Sequence, residues 1–203
     1  MSNLDQRWAH RTVGFTKKLV APSLQMVRDH DGYSTPIVAV DTLLEREKFH
    51  KNIWEPAAGL HAIAKPLNDD GYNVFTSDIR RWDDRTECQR SFLNFQDTPY
   101  GNDYDVLTNP PFKQGEKFAL HALSILPNDA TVALLLRTQF LEGKGRKLRL
   151  FDKFPPYRVY VYSYRLPRMH MFFYKGKESS STLSFSWFVW KVGWYRRTEI
   201  KWI

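Results

Sequence analysis

The chain contains a single cysteine, Cys88, among 203 residues. That excludes an intrachain disulfide and a cysteine-built zinc site, and it suits a reducing compartment. The thiol reads as a structural residue rather than a catalytic one. No apolar core of a secretory signal stands near the N-terminus, and no uninterrupted apolar run is long enough to span a bilayer. A soluble, cytoplasmic protein with no membrane partner is therefore expected. Internal repeats are absent, and Ser179-Ser180-Ser181 is the one low-complexity tract. Nothing in the sequence calls for a metal.

The residues that are present describe a folded domain with a basic surface. Hydrophobic residues make up 42% and charged residues 26%, the balance of a globular chain rather than a disordered one. The length suits one domain with a substantial core. Aromatic residues reach 15%, more than a core of this size usually needs, so some rings are expected at the surface. The formal net charge of +8 favours a polyanionic partner, because each neutralised phosphate releases counterions.

Residues 1–32 are polar and basic and read as an N-terminal arm; residues 33–203 read as one domain. Ser34-Thr35-Pro36 has the form of a helix start, a hydroxyl cap followed by proline at the first helical position. Ile37, Val40, Leu43, Leu44 and Phe49 give that helix an apolar face. Asn52-Ile53-Trp54 is a short strand, ended by Glu55-Pro56-Ala57-Ala58-Gly59 and followed by a helix to about Asp70. Strands are expected over 72–77, 104–108 and 131–136, with a helix over about 114–126. This alternation predicts a doubly wound α/β sheet. The strand-like segments 158–162 and 184–192 predict an antiparallel hairpin at the sheet edge.

The most informative motif is Asn109-Pro110-Pro111-Phe112, which ends the apolar run over 104–108. An asparagine carbonyl can accept a hydrogen bond from an amine. The Pro110 carbonyl can accept a second, and the two prolines fix φ so that both acceptors are in place beforehand. Phe112 can stack on a flat base. The same residues also make ordinary turns. Two earlier strand ends face the same edge. The small-residue turn at Pro56–Gly59 lets backbone approach a ligand closely. Asp78, 19 residues after Gly59, is placed to bond a ribose diol, and Ile79 to pack against an adenine ring.

In order and spacing these segments resemble the N6-adenine (amino) methyltransferase family, over residues 33–141 and more loosely through the tail. Tyr33-Ser34-Thr35-Pro36 is similar to the family's aromatic-x-Thr/Ser-Pro cofactor segment, and Glu55-Pro56-Ala57-Ala58-Gly59 to its first glycine motif. Asp78 matches the acidic ribose-binding position, and Asn109 to Phe112 the catalytic motif. The resemblance implies a single Rossmann-like class I methyltransferase domain with a mostly parallel seven-stranded sheet. It implies S-adenosylmethionine as cofactor and Asn109, Pro110, Pro111 and Phe112 as the catalytic turn. The segment Leu134 to Gly145 and the run Phe185-Ser186-Trp187-Phe188-Val189-Trp190 resemble small phage and prophage members, which suggests a role in protection against restriction. Two departures stand out. Leu60-His61 replaces a second glycine, and the acid that usually bonds the cofactor's adenine amine is matched by Ser91, next to Phe92, with Asn94 or Asp97 as rivals.

No stretch is long enough for a separate large target-recognition domain, so nucleic-acid contacts are expected from loops. Lys144, Arg146, Lys147 and Arg149 form one basic cluster; Arg165, Arg168 and Lys175, interleaved with Met169, Met171, Phe172 and Phe173, form another. The small size predicts a relaxed or short sequence preference. The leading expectation is a DNA adenine-N6 methyltransferase. An RNA adenine methyltransferase, a protein glutamine methyltransferase and a catalytically silent nucleic-acid-binding subunit remain alternatives, and a homo- or heterodimer is compatible with all of them.

Overall fold

A computed structural model of the chain describes residues 23–203, apart from Tyr100, Asn102, Glu178 and Ser180. Its frame is an eight-stranded sheet in the order β3-β2-β1-β4-β5-β7-β6-β8. The strands are β1 (Asn52–Glu55), β2 (Asn73–Asp78), β3 (Cys88–Gln89), β4 (Tyr104–Thr108), β5 (Thr131–Arg137), β6 (Arg158–Val161), β7 (Phe185–Lys191) and β8 (Glu199–Trp202). β1 to β5 run parallel, and β7 is antiparallel to both β5 and β6. The expected pair of C-terminal strands is present, but β7 lies inside the sheet rather than at its edge. The edge is an eighth strand, β8, parallel to β6. The seven-stranded sheet that the resemblance implies thus has an eighth strand beside it, and Glu199–Trp202, exposed at every position, has no burial pattern to announce it.

Both sheet faces are covered, which is why the central strands read as continuous apolar runs. Along β1, β4 and β5 neighbouring residues part to opposite sides. Trp54, Val106, Val132 and Leu134 meet helix α4 (Gly115–Ile125), whereas Ile53, Leu107, Ala133 and Leu135 meet helix α2 (Ile37–Leu44). Helix α4 buries Phe118, Ala119 and Ala122. Gly115 opens it because a Cβ there would stand 2.7 Å from a Leu136 methyl carbon. Helix α3 (Ala64–Asp69) begins later than the sequence suggests, since residues 56–63 are spent in turns.

The expected hydroxyl cap at Ser34-Thr35 does not form. Pro36 itself is the N-cap residue of α2 and no side chain caps it, because the Thr35 hydroxyl is committed elsewhere. Of the expected arm, residues 1–22 lie outside the described residues. Residues 23–32 carry a short helix, α1 (Leu24–Asp29), whose Val27 is buried against Trp82 and Phe172. Among the described residues no helix is long and apolar enough to cross a membrane.

Candidate active site

The site is built where β1, β2 and β4 end together. The chain leaves β4 at Thr108 and turns through Asn109, Pro110 and Pro111 into a single tight turn, Phe112–Gln114, ahead of α4. Asn109 Nδ2 donates to Thr35 Oγ1 at 3.1 Å and approaches Met169 Sδ at 3.6 Å. With the amide held that way, Asn109 Oδ1 is buried and takes no hydrogen bond from any described residue; Thr108 Oγ1 beside it is in the same condition. Buried polar atoms nearly always find partners, so two orphans at one strand end mark a place prepared for something else.

Phe112 does not stand alone. Its ring stacks on Tyr33 at 5.7 Å, and the Arg137 guanidinium at the end of β5 lies over it at 4.7 Å. Neither partner of Phe112 was evident from local sequence, because each comes from a different strand end or loop.

The first glycine turn follows β1. Gly59 adopts φ of +53°, and its N–H donates to Asp78 Oδ2 at 2.9 Å. Asp78 Oδ1 accepts from the Arg80 N–H and from the Trp82 indole. Burial pushes the Asp78 carboxyl up from its ordinary value, and those three donors pull against it. Glu55 is more deeply enclosed. Burial raises its carboxyl well above the usual range, the Ala64 N–H bond opposes this, and the nearby Asp78 charge adds to it. Glu55 Oε2 accepts from Ala64 N at 2.8 Å, so it anchors the first residue of α3 and shapes the turn between. Pro56 is buried, Ala57 is half-buried, and Ile79 is exposed just beyond Asp78.

Phe172 lies over Gly59. A Cβ on that glycine would come within 2.4 Å of the Phe172 ring, which also packs against Trp82 at 5.1 Å. The loop that carries Phe172 is fixed to the segment before α2: Ser34 N–H donates to the His170 carbonyl, Phe172 N–H donates to the Gly32 carbonyl, and Tyr33 bridges Met171. Met169 and Phe172 are therefore buried packing residues, while Phe173 and Tyr174 stay exposed. The importance of Phe172 was hidden in a run of aromatic and sulfur side chains with no period.

Other expected positions fall as follows. Ser91 stands at the start of a short turn, Phe92–Asn94. The Phe92 ring is buried against Trp54 and Phe118. His61 is not at a helix start. It is buried at φ of +64°, its Nε2 lies 3.3 Å from Thr86 Oγ1 and 3.4 Å from Asp83, and burial lowers its pKa against the pull of the Asp83 charge. In the basic cluster, Arg149 makes a two-pronged ion pair with Glu116, and Lys147 pairs with Asp152. Arg146 donates to the Phe140 and Glu142 carbonyls, while Lys144 is exposed. Arg165 donates to Ser184 Oγ, and Arg168 and Lys175 are exposed on the same loop. Burial raises the Cys88 thiol, as expected of an unreactive cysteine.

The fold has solved counterparts. The chain is similar to the type IIG restriction endonuclease BpuSI, with a TM-score of 0.55, 13% identity and coverage of 83% of this chain and 27% of that one. It is similar to a putative class I S-adenosylmethionine-dependent methyltransferase from Listeria monocytogenes, with a TM-score of 0.53, 14% identity and coverage of 83% and 64%. A third, an S-adenosylmethionine-dependent O-methyltransferase from Thermotoga maritima, gives 0.52, 13%, 87% and 74%. The chain thus spans less than two thirds of each of the first two. No protein-family model and no curated sequence matches it. The chain shares the Rossmann-like α/β fold of these solved structures.

Proposed function

We propose that the chain is an S-adenosylmethionine-dependent methyltransferase acting on the N6 amine of adenine in DNA. The observation that carries this reading is Asn109 Oδ1, buried at the end of β4 without a partner while Thr35 fixes the other half of the amide. An acceptor left open there suits an incoming N–H. The donor set also fits the cofactor: a glycine turn at Gly59, the Asp78 carboxylate, which accepts three hydrogen bonds of the roughly four its oxygens can take, and exposed Ile79 beside it. Tyr33, Ser34, Thr35, Pro36, Pro56 and Ala57 line the approach, with Glu55 holding the turn in shape. Phe172 has to swing aside for a ligand to reach Gly59.

When bound, the cofactor supplies an electrophilic methyl group. The chain's own residues do the rest. Adenine N6 is a poor nucleophile because its lone pair is delocalised into the ring. Asn109 Oδ1 and the Pro110 carbonyl accept its two protons' hydrogen bonds, favour a tetrahedral nitrogen, and stabilise the positive charge that develops there. Pro110 and Pro111 keep both acceptors in position, so little reorganisation is needed. Phe112, backed by Tyr33, offers a stacking face once the Arg137 guanidinium moves off its other side. A stacked base in a duplex cannot reach this depth, so the adenine enters flipped or from a single strand. Lys144, Arg146, Lys147, Arg149, Arg165, Arg168 and Lys175 are the proposed phosphate contacts. Lys144, Arg168 and Lys175, which are exposed and make neither an ion pair nor a side-chain hydrogen bond with any described residue, carry the larger share. That a restriction endonuclease is among the structural relatives agrees with a nucleic-acid substrate.

Nucleoside mass spectrometry after incubation with mixed-sequence DNA or RNA tests the proposal. N6-methyladenine in DNA supports it. Methylation of RNA alone, or of neither polymer, refutes the DNA assignment. A second reading, a silent nucleic-acid-binding subunit, is favoured by two contacts: Phe172 covers Gly59 and Trp82 bonds Asp78. Calorimetric titration with S-adenosylmethionine separates the two, since absence of binding favours the silent subunit.

A further inference from the structure

The outer edge of β8 pairs with no other described strand. Glu199 N–H donates to the Tyr157 carbonyl and Ile203 N–H to the Val161 carbonyl. In a parallel pair both backbone groups of a residue point the same way and alternate along the strand. The odd-numbered residues of β8 therefore bond inward to β6, and the N–H and C=O groups of Ile200 and Trp202 face outward. The side chains divide as well. Glu199 and Lys201 share one face, and Ile200 and Trp202 share the other, with the latter two 50% and 71% exposed. A bare backbone edge flanked by exposed apolar side chains is a template for strand pairing.

We propose that β8 joins two copies of this chain in a two-fold symmetric dimer, its outer edge paired antiparallel with the same strand of the second copy and Ile200 opposite Ile200. Hydrogen-bond direction limits the choices, because only Ile200 and Trp202 have groups to offer. Among registers that use them, shifting by two residues in one direction sets Glu199 against Glu199, and in the other sets Lys201 against Lys201. The register centred on Ile200 instead places Glu199 opposite Lys201 of the second copy, twice. These fall in the non-hydrogen-bonded positions, where side chains come closest. The same register lines Trp202, Ile200 and their two symmetry mates along one face of a continuous sheet. So short a strand gives a small interface, and association on the order of micromolar is expected. The proposal is independent of the methyltransferase reading.

Charge reversal tests it. Sedimentation velocity over a concentration series is expected to show a monomer–dimer equilibrium for the unaltered chain. Glu199→Lys and Lys201→Glu each place like charges opposite and are expected to weaken association at least tenfold. Lys201→Glu leaves the Arg158–Glu199 ion pair in place but removes the Lys201–Glu199 pair within the strand, so unchanged urea midpoints of both variants are the control for local damage. Mixing the two variants in equal amounts restores complementarity at both positions. A dimer containing one of each, identified by native mass spectrometry, is expected. A chain that stays monomeric to about 1 mM, a dimer indifferent to both reversals, or a mixture no more associated than its parts would each overturn the proposal.

Discussion

The Asn109 amide is oriented by Thr35, which lies 74 positions earlier and offers Oγ1 at 3.1 Å to Nδ2. An amide can present either end, and this bond together with the acceptor-only Met169 thioether favours the NH2 end on this side. Thr35→Val removes the acceptor at nearly constant volume. A hydrogen bond of this kind contributes about 1 kcal/mol, so kcat is expected to fall about fivefold with KM little changed. Thr35→Ser is expected to keep most activity. Steady-state kinetics on the two variants provides the check.

Asn109 and Asp78 are expected to separate chemistry from binding. Asn109→Ala should abolish methylation while S-adenosylmethionine affinity stays nearly unaltered. Asp78→Ala should weaken cofactor binding first. Full turnover by Asn109→Ala, alongside calorimetry on both variants, would reverse the assigned roles.

Phe172 and Gly59 are expected to be coupled. Phe172→Ala should cost about 3–5 kcal/mol of stability, yet tighten cofactor binding by clearing the glycine turn. Gly59→Ala meets both the positive φ and the Phe172 ring. In a Phe172→Ala background only the φ penalty remains, so the double variant should be more stable than additivity predicts, by about 1–3 kcal/mol. Urea denaturation of the four proteins measures this.

Glu55 predicts a pH slope. Burial raises its carboxyl in the folded chain. The folded state then binds more protons than the unfolded state above the ordinary carboxylate value, and stability falls as pH rises through the window up to the folded value. Glu55→Gln keeps an acceptor for Ala64 N and removes the ionisation. It should be more stable than the parent at mildly alkaline pH and lose that advantage in acid. Parallel urea-midpoint profiles would contradict this.

The motif residues were legible because they are local. Asn109-Pro110-Pro111-Phe112 does leave a strand covering 104–108, and Gly59 and Asp78 do meet at neighbouring strand ends. What escaped was the company each residue keeps. Thr35 looked like a helix cap because its hydroxyl precedes a proline, whereas a residue far along the chain claims it. Arg149 looked free to meet phosphate because Glu116 lies a whole strand and loop away in sequence. Phe92 sat beside a cofactor position on the chain but turns into the core. β8 carries no alternation because both its faces meet solvent.

The position of β7 governs how the molecule can be made. It emerges after β6 yet must lie between β6 and β5. A ribosome that has finished β6 holds a chain whose most oily strand, Thr131–Arg137, still has a naked flank. Until residue 191 clears the exit tunnel that flank is open to mispairing, with β6 itself or with a neighbouring nascent chain. Truncations that remove β7 should therefore yield aggregates rather than smaller soluble domains.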